Sequence, residues 1–186
     1  VSNELEIDAM DKQEAREQGL YETIGRNIDD LYQKRLQTLS LNPGVIREQQ
    51  DLRIVYTPLH GTGHVPVREG LKNFGFKNVA IVPEQAVPDA DFSTVESPNP
   101  EEHAAFSMAI QLGEVTDADL LMATDPDTDR VGVAVKNENG EYTVLTGNQL
   151  GALLLDYILS QRQAQGTLPE NGVVLKTIVT SELGRK

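Results

Sequence analysis

The sequence of 186 residues contains no cysteine, which excludes disulfide bonds and thiolate metal sites and permits a reducing compartment. Basic residues are also scarce, because 16 lysines and arginines stand against 29 acidic residues and the formal net charge is -13. A chain of this charge without a basic cluster repels nucleic acid and anionic membrane, so neither is an expected partner. Long apolar runs are missing too: LGALLLDYIL is short and contains Asp156. We therefore expect a soluble, cytoplasmic protein.

Three short apolar runs, LRIVYT, NVAIVP and DLLMAT, predict buried strands. Residues 65–74 and 101–112 separate them with helical periodicity, which gives a βαβαβ order. RVGVAVK follows the third run too closely for a crossover helix, so we expect an antiparallel strand, with EYTVL beside it after the turn NENG. The predicted fold is α/β, a layered mixed, mostly parallel sheet flanked by helices.

The chain divides into three segments. Residues 1–49 form a helical lead-in that Pro43 and Gly44 are expected to stop, and residues 50–146 form the sheet domain. Residues 147–186 predict a helix over GNQLGALLLDYILSQRQ, a strand over VVLKTIV and helix N-cap candidates at Thr180 and Ser181. One helix and one strand cannot bury both of their faces, so we expect an incomplete second α/β unit, and hence a fragment of a larger protein.

The stretch ATDPDTDRVGVAV places three carboxylates at alternate positions after a predicted strand, where ligands of open α/β sheets gather. Asp125, Asp127 and Asp129 repel one another unless a cation or protons neutralise them, and a hard divalent cation such as Mg²⁺ suits these ligands. Arg130 could hold a phosphate oxygen, which favours phosphoryl transfer. The alternative is a polar turn without a ligand. An EF-hand is excluded, because Arg130 and Lys136 stand where that loop needs glycine and glutamate.

The remaining motifs favour structural roles. His60 and His64 have the spacing of a zinc pair, but Gly61 and Gly63 between them disfavour a helix and no H-E-x-x-H motif is present. These glycines are expected to let a strand-to-helix turn close tightly, and the loop is not a P-loop. In SPNPEE, Asn99 is a predicted helix cap followed by proline at the first helical position.

The sequence resembles the α-D-phosphohexomutases, the phosphoglucomutase and phosphomannomutase family. The resemblance rests on YTPLHGTG, SPNPEE and ATDPDTDRVGVAV, in this order within residues 50–146, and matches the family's second domain. LTGNQLGALLLDYIL and VVLKTIVTSELGRK are similar to the start of its third domain. The family's usual acidic loop has glycines where this chain has Pro126 and Thr128, a variant that looks closest to bacterial phosphoglucomutases related to phosphopentomutases.

The resemblance implies an activity and a role for each matching residue. Asp125, Asp127 and Asp129 would be ligands of Mg²⁺, which a phosphoserine of the first domain completes, and Arg130 would contact the transferring phosphoryl group. Lys176 lies near the position of basic active-site residues in the family. The intact enzyme would convert a sugar 1-phosphate into the 6-phosphate through a bisphosphate. We find no phosphoserine loop, sugar-selecting loop or terminal phosphate-binding loop in this chain, so we expect it to be inactive alone.

Other interpretations remain open from the residues. A haloacid-dehalogenase-like phosphotransferase would use an aspartate after a strand, but that family wants Thr or Val at the position of Asp129. A non-catalytic α/β binding module would use the acidic loop as a turn only. The expected partners are the phosphosugar substrate and the missing domains of the parent chain, together with a second copy through residues 147–186, whose leucines would otherwise stay exposed: Leu150, Leu153, Leu154, Leu155 and Leu159.

Overall fold

The computed structural model describes residues 8–182 and contains five strands: β1 Arg53–Thr57, β2 Asn78–Ile81, β3 Leu120–Thr124, β4 Val131–Lys136 and β5 Tyr142–Val144. They form one sheet in the order β2-β1-β3-β4-β5. β1 pairs in parallel with β2 and β3, whereas β4 is antiparallel to β3 and β5. The predicted mixed sheet is confirmed, with two parallel and two antiparallel pairings.

Helices lie before, between and after the strands of the sheet. A 3₁₀ turn over His103–Phe106 leads directly into the helix that begins at Ser107. In residues 8–182, no helix is long and apolar enough to cross a bilayer. The helices are α1 Lys12–Glu17, α2 Arg26–Gln37, α3 Pro43–Glu48, α4 His64–Phe74, α5 Ser107–Thr116 and α6 Gly147–Ala164.

The main apolar core lies between α5 and one face of the sheet. Phe106 is fully buried at the start of α5 and belongs to one cluster with Val55 of β1 and Leu121 of β3. Because side chains alternate along a strand, the neighbours Ile54 and Tyr56 of β1 are buried on the opposite face. The continuous apolar sequence of β1 is explained by this burial on both faces.

The helical lead-in is attached to the sheet domain through α4. Gln33 of α2 is buried, donates from its amide to the carbonyl of Pro66 at 2.9 Å and accepts from Asn73 at 3.1 Å. An exposed ion pair joins Arg26 to Glu69 at 2.7 Å. Gln33, the buried residue of α2, therefore joins α2 to α4 through polar contacts.

Two predicted helix boundaries are wrong in detail. Pro43 does not stop a helix; it occupies the first turn of α3, where its missing N–H is not needed, and α2 has already ended at Gln37. Asn99 accepts a hydrogen bond from the backbone of Glu101 at 3.2 Å, but the 3₁₀ turn begins only at His103. The asparagine therefore closes a turn that precedes the helix.

The predicted strand over VVLKTIV is wrong, since residues 173–179 have no strand pairing in the structure. A strand needs a neighbour to satisfy its backbone groups, and this segment instead lines a cavity beside α6. Just after it, the backbone N–H of Ser181 donates to Asn148 of α6 at 2.8 Å. The apolar side chains of the segment remain exposed, with Ile178 at 98%. The N-terminus of α6 is closed by a capping box between Thr146 and Gln149.

Candidate metal centre

The acidic loop, residues 125–130, follows β3 directly and connects it to β4, at the carboxyl end of the parallel strands. Asp125 is only 7% exposed, whereas Asp127 and Asp129 face solvent. One carboxylate oxygen from each of the three residues lies within 4.8 Å of the other two, and the three form a group that could hold a metal ion. The structure therefore brings together the three carboxylates that the sequence predicted as ligands.

The loop is folded back on itself by two backbone donors. The N–H of Thr128 donates to the carbonyl of Asp125 at 3.0 Å, and the N–H of Arg130 donates to Oδ1 of the same residue at 2.9 Å. Thr128 has a φ of 66°, a left-handed conformation that few non-glycine residues adopt. This reversal returns Asp129 to the side of Asp125.

The charges in the loop favour a bound cation. The pKa of Asp129 is raised, first because its carboxyl group shares a hydrogen bond with Asp125 and then because Asp127 and Asp125 repel its negative charge. The guanidinium of Arg130 offsets this in part, with Nε 3.7 Å from Asp125 and 3.9 Å from Asp129. Three acids with one cation leave a net negative charge in the loop.

The donor set fits a small hard cation. All three potential ligands are carboxylate oxygens, the type that Mg²⁺ prefers. Opposite corners of a Mg²⁺ octahedron are about 4.2 Å apart, given metal–oxygen distances of 2.0–2.1 Å. The separations in the loop are at most 4.8 Å, so small side-chain rotations would close the three oxygens around such an ion.

The loop between β1 and α4 supports the acidic loop, a role that the sequence did not reveal. Both the backbone N–H and the hydroxyl of Thr62 donate to the carbonyl of Pro126, at 2.8 and 3.1 Å. The only signal in the sequence was the pair of glycines on either side of this threonine. Because 64 residues separate the two partners along the chain, the contact appears only when the sheet is assembled.

The histidine pair is not a metal site in the structure. His60 is buried and both ring nitrogens have partners: Nδ1 lies 2.8 Å from the carbonyl of Val87 and Nε2 lies 2.7 Å from the hydroxyl of Thr94. A carbonyl can only accept, so Nδ1 carries a proton and donates, and in the neutral ring Nε2 accepts from Thr94. Both ring nitrogens of His60 are therefore occupied by contacts within the protein.

The contacts that the structure gives for Lys176 lie within its own segment. Its ammonium group lies 2.8 Å from a carboxylate oxygen of Glu182 and donates to the carbonyl oxygen of Thr180 at 3.2 Å. The side chain also lines a cavity of about 670 Å³ between α6 and residues 174–181. The structure therefore gives Lys176 a local role and does not test the predicted phosphate contact.

Comparison with known proteins identifies the fold. Residues 30–140 match the family description "Phosphoglucomutase/phosphomannomutase, alpha/beta/alpha domain II". Two solved structures share the fold at low sequence identity. A protein of Thermus thermophilus assigned as a phosphomannomutase has a TM-score of 0.59 at 22% identity, over 76% of this chain and 30% of its own. A phosphoglucomutase/phosphomannomutase family protein from Burkholderia thailandensis has a TM-score of 0.56 at 18% identity, over 81% and 31%.

Curated relatives give the same result at higher identity. The phosphoglucomutase of Staphylococcus haemolyticus is 43% identical over 74% of this chain and 24% of its own length, and that of Staphylococcus epidermidis is 39% identical over 91% and 30%. The chain thus spans about a quarter to a third of the length of the relatives that it matches. With the family match covering more than half of its residues, the chain belongs to the phosphoglucomutase/phosphomannomutase family.

Proposed function

We propose that this chain carries the metal-binding part of a phosphohexomutase, which interconverts a sugar 1-phosphate and a sugar 6-phosphate through a phosphoserine and a bisphosphate intermediate. The observation that carries the proposal is the carboxylate group of Asp125, Asp127 and Asp129 at the carboxyl end of β3. Family membership supplies the reaction class. The proposed sugar is glucose, with mannose as the second candidate and a phosphopentose as the third.

Each residue of the acidic loop has a proposed part in the reaction. The three aspartates hold Mg²⁺, which when bound neutralises negative charge on the phosphoryl oxygens. The guanidinium of Arg130 is 61% exposed and lies within 4 Å of two of the carboxylates, so it can bind a phosphoryl oxygen beside the ion. A phosphate contact by Lys176 would require its ammonium group to leave Glu182.

The proposed reaction needs groups that this chain alone does not supply. Its sequence shows the acidic loop but not the phosphoserine loop, the sugar-selecting loop or the terminal phosphate-binding loop that the intact enzyme would use. We therefore expect no turnover of glucose 1-phosphate by the purified chain, even with a bisphosphate activator and Mg²⁺. Turnover that survives repurification and disappears in Asp127→Asn would contradict this.

The metal site is tested by isothermal titration calorimetry, in which Mn²⁺ alone is added to the 186-residue chain. We expect one ion per chain with modest affinity, because the protein supplies three ligands and water must fill the other positions. The triple Asp→Asn variant of the loop should lose the signal. A matched control makes the same charge change at three exposed aspartates elsewhere and should keep it; these are Asp29, Asp91 and Asp156. Equal binding by both variants would refute the proposed site.

A further inference from the structure

We propose that Gly61 and Thr62, in the loop between β1 and α4, are positioning residues that set the metal affinity of the acidic loop. The inference rests on the proposed metal site and assigns a function to the HGTG motif, residues 60–63. Neither Gly61 nor Thr62 is one of the three proposed carboxylate ligands. They act by holding the carbonyl group of Pro126. Because Pro126 lies between Asp125 and Asp127, its position fixes the direction of both ligands.

Gly61 makes the close approach of the two loops possible. A Cβ atom added to Gly61 would stand 2.4 Å from Cα of Pro126 and 2.5 Å from its carbonyl oxygen. Both neighbours are backbone atoms, which cannot move aside as the end of a flexible side chain can. Any larger residue at position 61 must therefore push the acidic loop away from β1.

Thr62 fixes the orientation of the same peptide group. Its backbone N–H and its hydroxyl donate to one oxygen, the carbonyl of Pro126, at 2.8 and 3.1 Å. Two donors on one carbonyl define a direction as well as a distance, because they restrict rotation of the peptide plane. The hydroxyl of Thr62 also lies 3.4 Å from that of Thr128, the residue at which the acidic loop reverses.

The loop between β1 and α4, residues 58–63, is the supporting loop, and a chain of hydrogen bonds holds it in place. Thr57 donates from its hydroxyl to Oε1 of Gln85 at 2.6 Å, and the amide nitrogen of Gln85 donates to Thr94 at 3.0 Å. The hydroxyl of Thr94 lies in turn 2.7 Å from Nε2 of His60, and the opposite ring nitrogen donates to the carbonyl of Val87. When the imidazole is neutral, each hydroxyl in this chain accepts one hydrogen bond and donates another, since Thr57 also accepts from the backbone.

Two residues of the supporting loop adopt backbone conformations that non-glycine residues disfavour, and the buried hydrogen bonds hold them there. Leu59 and His60 are consecutive non-glycine residues with φ of 46° and 65°, a conformation that is unfavourable for both. Such residues persist where the surrounding contacts determine their position, and both side chains are buried. The strained turn directs Gly61 and Thr62 towards Pro126, so the buried hydrogen bonds help to position the acidic loop.

Residues that orient metal ligands without touching the ion commonly change affinity roughly 10- to 100-fold when they are replaced. We expect Gly61→Ala to weaken Mn²⁺ binding at least about tenfold, because the loop must move. Thr62→Val keeps the backbone donor and should weaken binding about three- to tenfold, and Thr62→Ser should restore it. Gly151→Ala, where an added Cβ meets nothing within 4 Å, and Thr116→Val, which loses an exposed 2.8 Å bond to a carbonyl, are the matched controls.

A second measurement separates the supporting contact from the metal site. Without any metal, amide hydrogen exchange at Thr128 and Arg130 reports the two backbone donors that fold the acidic loop. Exchange at both amides should quicken in Gly61→Ala and Thr62→Val and remain unchanged in Thr62→Ser and in the controls. Urea unfolding of every variant shows whether the fold is retained.

The outcomes distinguish the two ideas. Unchanged Mn²⁺ affinity and unchanged exchange in folded Gly61→Ala and Thr62→Val would overturn the positioning role. If the wild-type chain binds Mn²⁺ and the two variants bind it equally well despite faster exchange, the positioning role is also overturned, since the loop would move without consequence for the ion. A wild-type chain that binds no Mn²⁺ would refute the proposed function, and the exchange rates would then decide whether Gly61 and Thr62 hold the loop.

Discussion

Replacement of Tyr56 by phenylalanine tests the contact that joins β1 to β3 beneath the acidic loop. The Tyr56 side chain is fully buried, and its hydroxyl lies 2.8 Å from that of Thr124, the residue before Asp125. A Cβ on Gly63 would stand 2.5 Å from the Tyr56 hydroxyl oxygen, which shows how closely the backbone covers this pair. The substitution removes one oxygen and leaves the buried hydroxyl of Thr124 without this partner.

The expected loss follows from burial. Removal of one partner from a buried hydrogen bond costs about 1–3 kcal/mol, more than the net value of the bond itself. With a urea dependence of about 2 kcal/mol per M for a small protein, a loss of about 1.5 kcal/mol lowers the unfolding midpoint by roughly 0.75 M. Circular dichroism during urea titration measures this. The control is Tyr32→Phe, at a tyrosine that is 55% exposed, and should change stability by less than about 0.5 kcal/mol.

Alkaline pH gives an independent check of the same residue. Burial raises the pKa of Tyr56 to about 12, above its value of 10.0 in the unfolded chain. The folded state therefore keeps a proton that the unfolded state loses, so this contribution is complete below about pH 10 and is lost as the pH rises towards about 12. Tyr56→Phe should unfold with a shallower pH dependence than the wild type in this window. Equal slopes together with an unchanged urea midpoint would refute a buried, hydrogen-bonded Tyr56.

Three further predictions concern the core, the acidic loop and the tail. Phe106→Ala, at a fully buried side chain, should lower the free energy of unfolding by about 3–5 kcal/mol in urea titration, and a loss below about 1 kcal/mol would contradict the assigned core. The raised pKa of Asp129 means that protons compete with metal, so Mn²⁺ affinity measured by calorimetry should fall as the pH decreases below neutral, and a constant affinity down to about pH 4 would contradict this. Residues 147–186 should promote self-association, because Leu153 and Leu154 are 59% and 47% exposed; light scattering should show a concentration-dependent mass that a chain ending at Thr146 lacks, and two equally monomeric chains would exclude it.

The arrangement of the sheet and the acidic loop could be predicted because local sequence determines both. Apolar runs separated by helical periodicity give a strand order with few alternatives, and the short link after Thr124 permits only an antiparallel return. Once Asp125 is placed at a strand end, alternate spacing brings Asp127 and Asp129 near it. The structure adds the turn at Thr128, which no propensity rule favours for threonine, since its φ is positive.

Features that depend on distant partners could not be predicted in this way. The support that Thr62 gives to Pro126 joins two loops that are far apart in sequence, so glycine spacing alone indicated only a tight turn. Residues 173–179 show the opposite error: an apolar, β-branched composition favours a strand, but a strand forms only where another offers its edge. In α2, Gln33 is buried because it satisfies Pro66 and Asn73, which a hydrophobic pattern cannot indicate.

The sheet order has a consequence for the sequence of events during folding. β3, β4 and β5 are consecutive antiparallel strands, so their pairing closes only short loops, whereas the parallel pairing of Ile54 with Leu120 encloses more than sixty residues. Short closures are entropically less costly and faster than long ones. We therefore expect the hairpin that carries the carboxylates to form before β1 arrives. Gly61 and Thr62 then reach Pro126 only in the final docking step, so the ability to bind a cation tightly would develop late and report completion of the native state.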